Sequence, residues 1–456
     1  MSKSKKIIKL WIIPLILFIF FSSLYSRISK NLPVGYQDEM MWVGRSYFFD
    51  YFIKGDFNNP VWQSYYSFEQ PKLAEYMYGA WLYPQYLKEK KLKKDANFDY
   101  VKFLFSNSFH MIHDYYPKPE PNYKIIDFDE AFRGFPNDYL KNYGALSLKT
   151  LNIIYYSRII NFSLLSLAIV IIYFLILYCK NLFVALSVSI FYGLSPLFID
   201  SGIIAHSEAL FIFLFNGSLM LMVLYFTSKR KLSYLLLFSF LTGLCTATKL
   251  NGIMLVFIFL VIKIFDVFFY SKKITKKNIL NFYLVFIISF LVFVILNPFV
   301  YSNPFIKTLR LYSERAKSAT IQSVQFPADY LPTPFSRLNQ IYNNFFNSEF
   351  YTVEFNNIYM SSVFNYWPMD YKIILITLFM CGLISDFYHA LKGNKKSAIL
   401  LLTLVCILIS MSFYLKLNWG RYFIQLIFFV VLYQILGLFF LLNLIKLLFK
   451  LIKNKK

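Results

Sequence analysis

Long apolar runs separated by short polar segments make up most of this chain. Because the hydrocarbon core of a membrane is about 30 Å thick, a helix needs about 20 apolar residues to cross it. Six runs have about this length, at about residues 7–25, 153–178, 280–300, 371–388, 397–415 and 422–448. We expect the first to be a retained helix and not a cleaved signal peptide, since Ser22–Ser26 makes a poor cleavage site.

Two further runs are longer than a membrane is thick and must therefore turn. As one helix, Leu232 to Tyr270 would extend about 58 Å. We place its turn at Lys249–Gly252. We place the break of Leu182 to Phe226 between Ser195 and Glu208, where Pro, Gly and polar residues occur. The pattern predicts an all-α integral membrane protein with about ten transmembrane helices.

Composition and charge agree with this prediction. Apolar residues are 58% of the chain and charged residues only 16%, which excludes a disordered chain and an ordinary soluble domain. The net charge of +23 is unevenly distributed, because one set of connectors and the two termini carry 21 basic residues against Asp266 and Asp386. The positive-inside rule makes that side cytoplasmic, with both termini on it. Topology and lipid attraction thus account for the charge, and no nucleic-acid partner is expected.

The opposite, outer side carries two segments that are too long to be simple connectors, 26–152 and 301–370. Trp42–Ile53 and Leu73–Leu87 within the first are expected to lie as interfacial helices. We divide the chain into a membrane module with the first long segment (1–300), the second long segment (301–370) and the C-terminal helices (371–456).

Acidic residues at the outer boundary are candidates for chemistry, because charge at a membrane boundary is costly. Asp38 and Glu39 follow the first run, and coupling between neighbouring carboxylates can keep one of them basic enough to accept a proton from a hydroxyl. They could equally cap a surface helix. Glu208 precedes an apolar run, either as a helix-start carboxylate or as another acid of the same site.

Basic residues occur at the same boundary. Lys249 and Arg421 lie in outer turns, Arg158 lies about two turns into the second span, and Lys72 follows Pro71 at an expected helix start. A single interfacial Lys usually extends its amine to lipid head groups. Several cations beside carboxylates are better suited to hold a phosphate. His110 and His113 have the spacing of a metal-binding pair, but with no third ligand in the sequence we predict no metal site.

These motifs, in this order, resemble the dolichyl-phosphate-mannose protein mannosyltransferase-like group of the GT-C glycosyltransferases. The residues that carry the resemblance are Asp38-Glu39, Gln70-Pro71-Lys72-Leu73, Ser195-Pro196 followed by Glu208, Thr248-Lys249 and Arg421-Tyr422. It covers about residues 7–300 and is looser afterwards. The chain departs from the family at Gln70-Pro71-Lys72-Leu73, which often reads His-Pro-Pro-Leu in relatives, and at Glu208, which is usually Asp.

The resemblance implies an inverting transferase in the cell membrane, with its active site on the extracytoplasmic face and two long outer loops. It would move one sugar from a polyprenyl-phosphate donor to a hydroxyl of a glycan, lipid or protein. Asp38 would be the general base, with Glu39 and Glu208 as further catalytic residues. Lys249, Arg421, Lys72 and Arg158 would bind the donor phosphate. No cofactor is certain, and a divalent cation is left open. A transporter or flippase for a lipid-linked sugar is the rival interpretation.

Overall fold

In a computed structural model the protein is a bundle of helices. The structure describes residues 8–32, 37–106, 148–228, 232–271, 275–346 and 372–453. Within these ranges there is no β-strand, and a single antiparallel bridge joins Tyr330 to Leu417. The predicted all-α class is confirmed for this part of the chain.

The helices fall into three groups along the chain. The first has two long helices and four short ones before residue 107: α1 (Ile13–Asn31), α2 (Gln37–Gly44), α3 (Tyr47–Ile53), α4 (Tyr65–Glu69), α5 (Leu73–Lys93) and α6 (Tyr100–Ser106). The second is largely apolar: α7 (Leu148–Cys179), α8 (Leu182–Gly193), α9 (Pro196–Ile203), α10 (Glu208–Thr227), α11 (Leu232–Thr248), α12 (Met254–Asp266) and α13 (Lys276–Ile295). The third is α14 (Pro304–Gln325), α15 (Pro334–Phe346), α16 (Lys372–Leu391), α17 (Lys395–Tyr414) and α18 (Ile424–Lys453).

Eight helices of the described ranges are long and apolar enough to cross a membrane, and α8 with α9, bent by 58°, would make a ninth crossing. The apolar helix α11 has 17 residues and is shorter than the others. The chain is therefore a multi-pass membrane protein. The count of about ten spans stays a prediction, because α11 and the bent pair would both have to cross.

The two predicted interruptions of the long apolar runs are confirmed. A 3-10 turn, Leu250–Ile253, separates α11 from α12. Gly252 is required there, since a Cβ at this position would lie 2.4 Å from the backbone nitrogen of Thr246. The other run breaks at Ser195 and again at residues 204–207, between α9 and α10. Both breaks follow from the limit that membrane thickness sets on an apolar helix.

Helix α7 lies at the centre of the bundle and packs against α1, α8 and α10. A second close pair is α16 with α18, where Gly382 faces Gly437 and a Cβ on either glycine would meet the opposing backbone within 2 Å. The expected interfacial segments Trp42–Ile53 and Leu73–Leu87 are indeed helical, within α2, α3 and α5. Their depth in the membrane stays a prediction.

Candidate functional site

The first cluster of charges is a buried ion pair between α2 and α7. Arg158 donates two hydrogen bonds to the Glu39 carboxylate, from Nε at 2.7 Å and from Nη2 at 2.5 Å, and both side chains are fully buried. Its Nη1 donates to the carbonyl oxygens of Ser29 (2.9 Å) and Leu32 (3.2 Å). The alternative that Glu39 caps its own helix is not what the structure shows. Its carboxylate joins the start of α2 to Arg158 of α7, and Arg158 in turn binds the end of α1.

A second cluster lies where α10, α11 and α18 approach one another. Glu208, in the first turn of α10, accepts a hydrogen bond from Lys249 Nζ at 2.7 Å. His206 Nδ1 lies 3.4 Å from the same carboxylate, and Arg421 is close enough for its charge to act on Glu208. Lys249 and Arg421 both face the ring of Tyr422, at 5.6 and 5.8 Å. The structure therefore brings three of the predicted site residues together at three different helix ends.

Residues 204–207 connect the two clusters. The Ala205 amide donates to Glu39 Oε1 at 2.7 Å, and the chain enters α10 at Glu208 three residues later. The segment is irregular and mostly buried, so its polar groups need partners from elsewhere in the fold. These four residues therefore link Glu39 of the first cluster to Glu208 of the second.

Sequence reasoning missed the side chains that hold this segment. Tyr78 Oη donates to the His206 carbonyl oxygen at 2.7 Å and lies 2.8 Å from Asn161 Oδ1. Asn161 Nδ2 in turn donates to the Ile204 carbonyl oxygen. Asn161 follows Arg158 by about one helical turn inside an apolar span, and such polar spacing was an available signal. Nothing in the sequence distinguishes Tyr78 from the other 36 tyrosines.

Asp38, the predicted general base, lies in the first turn of α2, directly before Glu39. Its side chain lies outside the described residues, as do His110 and His113. The role of Asp38 stays a prediction. What the structure adds is that the helix carrying Asp38 is tied to α7 by its neighbour Glu39.

Lys72 belongs to a separate, buried cluster. Its ammonium donates to the Tyr66 carbonyl oxygen at 2.6 Å and to Glu75 at 3.1 Å, and it lies over the Phe48 ring. Burial lowers the pKa of Lys72 and raises the pKa of Glu75, because enclosure removes water from each charged form. The structure therefore places Lys72 apart from the Glu39 and Glu208 clusters, in contact with Tyr66 and Glu75.

Arg45 and Glu69 complete this third cluster, with Arg45 Nη2 at 2.6 Å from Glu69 Oε2. Burial alone lowers the pKa of Arg45, but the charges of Glu69 and Glu75 outweigh it and the net direction is upward. Sequence reasoning did not select Arg45, Glu69 or Glu75. Arg45 lies in the turn between α2 and α3, Glu69 ends α4 and Glu75 belongs to α5, so their charges connect three parts of the first long segment.

Metal ligation has no support within the described ranges, where no three His, Cys, Asp or Glu side chains come together. The four cysteines are free thiols. The second cluster contains two cations, Lys249 and Arg421, and such side chains can bind an anion such as a phosphate ester.

No family model matches the chain, and neither a curated protein nor a solved structure is significantly similar to it. The resemblance to GT-C transferases therefore depends on the motifs alone.

Proposed function

We propose that the protein is an inverting glycosyltransferase that moves one sugar from a polyprenyl-phosphate carrier to a hydroxyl acceptor on the extracytoplasmic face of the membrane. The observation that carries this proposal is the cluster of Glu208, Lys249 and Arg421 at the ends of three membrane helices. Two cations at such a place are suited to a phosphate whose lipid tail stays in the bilayer.

The proposed reaction uses the charges in a definite order. The acceptor oxygen attacks the anomeric carbon while the bond from that carbon to the phosphate oxygen breaks, which inverts the anomeric centre. Asp38 takes the proton of the acceptor hydroxyl. The leaving polyprenyl phosphate gains negative charge, which Lys249 and Arg421 stabilise. Sugar and acceptor identity depend on pocket shape.

Glu39 and Arg158 support this reaction by position. Each is the other's partner in a fully buried, two-bonded pair, so neither charge is exposed to a substrate. We infer that the pair holds α2, and with it Asp38, in place. Glu208 keeps the Lys249 amine oriented until the phosphate shares it. Lys72 is likewise enclosed, by Glu75 and Tyr66, so Lys72 and Arg158 are the weaker of the four proposed phosphate ligands.

The test is transfer of radiolabelled sugar from a panel of polyprenyl-phosphate monosaccharides by purified protein in lipid. Asp38→Asn should abolish turnover and leave carrier binding in place, because the amide has no basic oxygen to accept the proton. Lys249→Ala should weaken carrier binding, since it removes a charge-assisted contact. Asp95→Asn is the matched control, because Asp95 is an exposed acid of the same long segment.

The outcomes distinguish the two candidate functions and test the assigned base. Label on an acceptor with wild type and Asp95→Asn, but not with Asp38→Asn, supports the transferase and its base. Equal turnover by Asp38→Asn shows that another group is the base. Movement of intact carrier across the bilayer with no transfer from any donor contradicts the transferase and supports the flippase.

A further inference from the structure

Two helices of the second long segment expose apolar side chains. In the first two turns of α14, Phe305, Ile306 and Leu309 are 64–69% exposed. On α15, Phe335 is 79% exposed, and Leu338 and Tyr342 continue the same stripe at helical spacing. We name these two exposed surfaces the α14 stripe and the α15 stripe. Apolar surface of this kind marks a contact with another apolar body.

The opposite faces of both helices are fixed to the protein. On α14, Leu311 is fully buried and Lys307 Nζ donates to Gln63 Oε1 at 2.9 Å. On α15, the buried guanidinium of Arg337 donates to the carbonyl oxygens of Ser412 (3.0 Å) and Phe413 (2.7 Å). The stripes therefore cannot turn inward without breaking these contacts.

Each stripe is continuous with the exposed face of a membrane-spanning helix. Phe305 stacks on Phe290 of α13 at 5.0 Å, and Phe290 stacks in turn on Phe286, which is exposed. Beyond the α15 stripe, Phe346 contacts Phe379 of α16 at 5.3 Å. Only 22% of the apolar stretch of α13 and 11% of that of α16 is buried within the protein, which leaves most of their surface open to lipid.

We propose that α14 and α15 form an interfacial shelf that lies in the head-group region of one leaflet, with both stripes in contact with its lipids. A surface that continues the lipid-exposed faces of α13 and α16 meets the same lipid where those helices leave the hydrocarbon core. An amphipathic helix in this position buries its apolar face among head groups and the upper acyl chains. The leaflet is the one nearest Glu208, because α15 packs on the end of α17 that leads to Arg421.

The shelf is also bonded to the segment that precedes Arg421 of the second cluster. Asn344 of α15 donates to Asn418 Oδ1 at 3.0 Å, and Leu331 donates its amide to the Lys416 carbonyl oxygen at 2.8 Å. Both contacts hold the segment that precedes Arg421. The level at which the α15 stripe sits in the leaflet therefore sets the height of Arg421.

The test uses the photoreactive residue p-benzoylphenylalanine in full-length protein in phospholipid vesicles. It is placed at position 338 or 309, on the stripes, and at 339 as the matched control. Leu338 and Asn339 are neighbours on α15 that point about 100° apart around the helix axis. Leu309, Leu338 and Asn339 are all exposed. None is in a proposed catalytic or binding role, and replacing an exposed side chain leaves the buried contacts intact.

Mass spectrometry after illumination should find phospholipid adducts at 338 and 309 and far fewer at 339. Three results would overturn the proposal: equal adduct yields at 338 and 339, cross-links to another segment or copy of the chain, and adducts of polyprenyl mass in place of phospholipid when carrier is present. None of these outcomes depends on sugar transfer.

Discussion

At the residue scale, the central fact is that four of the predicted site residues are already paired with each other. Charge type and boundary position select Glu39, Arg158, Glu208 and Lys249 from sequence, but not their partners. Glu39 and Arg158 are 119 residues apart, and only the packing of α2 on α7 makes them neighbours. Their partnership is a tertiary property that no local pattern contains. Pairing also explains how fully buried charges are tolerated in the Glu39 cluster.

The Glu39–Arg158 pair gives a stability prediction. Arg158→Met should destabilise the protein by about 3–5 kcal/mol, because a buried carboxylate loses its partner. The double variant Glu39→Gln/Arg158→Met should recover much of this loss, since no uncompensated charge remains. The free energy of unfolding is measured by SDS titration in mixed micelles. If the single and double variants lose the same stability, the charge pair is not the cause.

At the scale of elements, the positions of the breaks in the long apolar runs were predictable, but the structure of the residues within each break was not. Membrane thickness requires a turn near Lys249, and the turn is there. Membrane thickness does not predict which groups form hydrogen bonds with the backbone of residues 204–207. Tyr78 and Asn161 come from α5 and α7 and supply those bonds. The segment that connects the two clusters is therefore positioned by helices distant in sequence.

Removing one hydroxyl tests the role of this segment. Tyr78→Phe leaves the His206 carbonyl oxygen with a weaker hydrogen-bond partner. We expect Glu208 and Lys249 to shift as a result, and carrier binding to weaken by roughly 1–2 kcal/mol. Tyr100→Phe is the control, because it removes an equally buried hydroxyl that bonds Ser46. Binding of polyprenyl phosphate and thermal unfolding are measured on both. Equal loss of stability with unchanged affinity in Tyr78→Phe contradicts a positioning role.

At the scale of the whole molecule, charge is divided along the bundle. Arg158 and the end of α7 at Cys179 are roughly 30 Å apart at 1.5 Å per residue, about one membrane thickness. Near Cys179 a second set of basic residues collects. Lys180 contacts Asp386, Lys395 lies 3.2 Å from Asp266, and Lys396 lies over the Tyr178 ring. The two clusters of the candidate site and this lysine-rich end therefore lie on opposite sides of the bundle.

Two matched insertions test which side of the membrane each end of the bundle faces. Lys94 and Gly393 both lie in exposed turns with positive φ, so a short epitope placed directly after either should leave the helices intact. The positive-inside rule predicts that Lys392, Lys395 and Lys396 keep the Gly393 turn in the cytoplasm. An antibody should then label the epitope after Lys94 in intact spheroplasts, and the epitope after Gly393 only after permeabilisation. Labelling in the reverse order would place the two charge clusters in the cytoplasm. It would also exclude an extracytoplasmic transferase, because the proposed base at Asp38 belongs to the same end as α5 through the contacts of α2 with that helix.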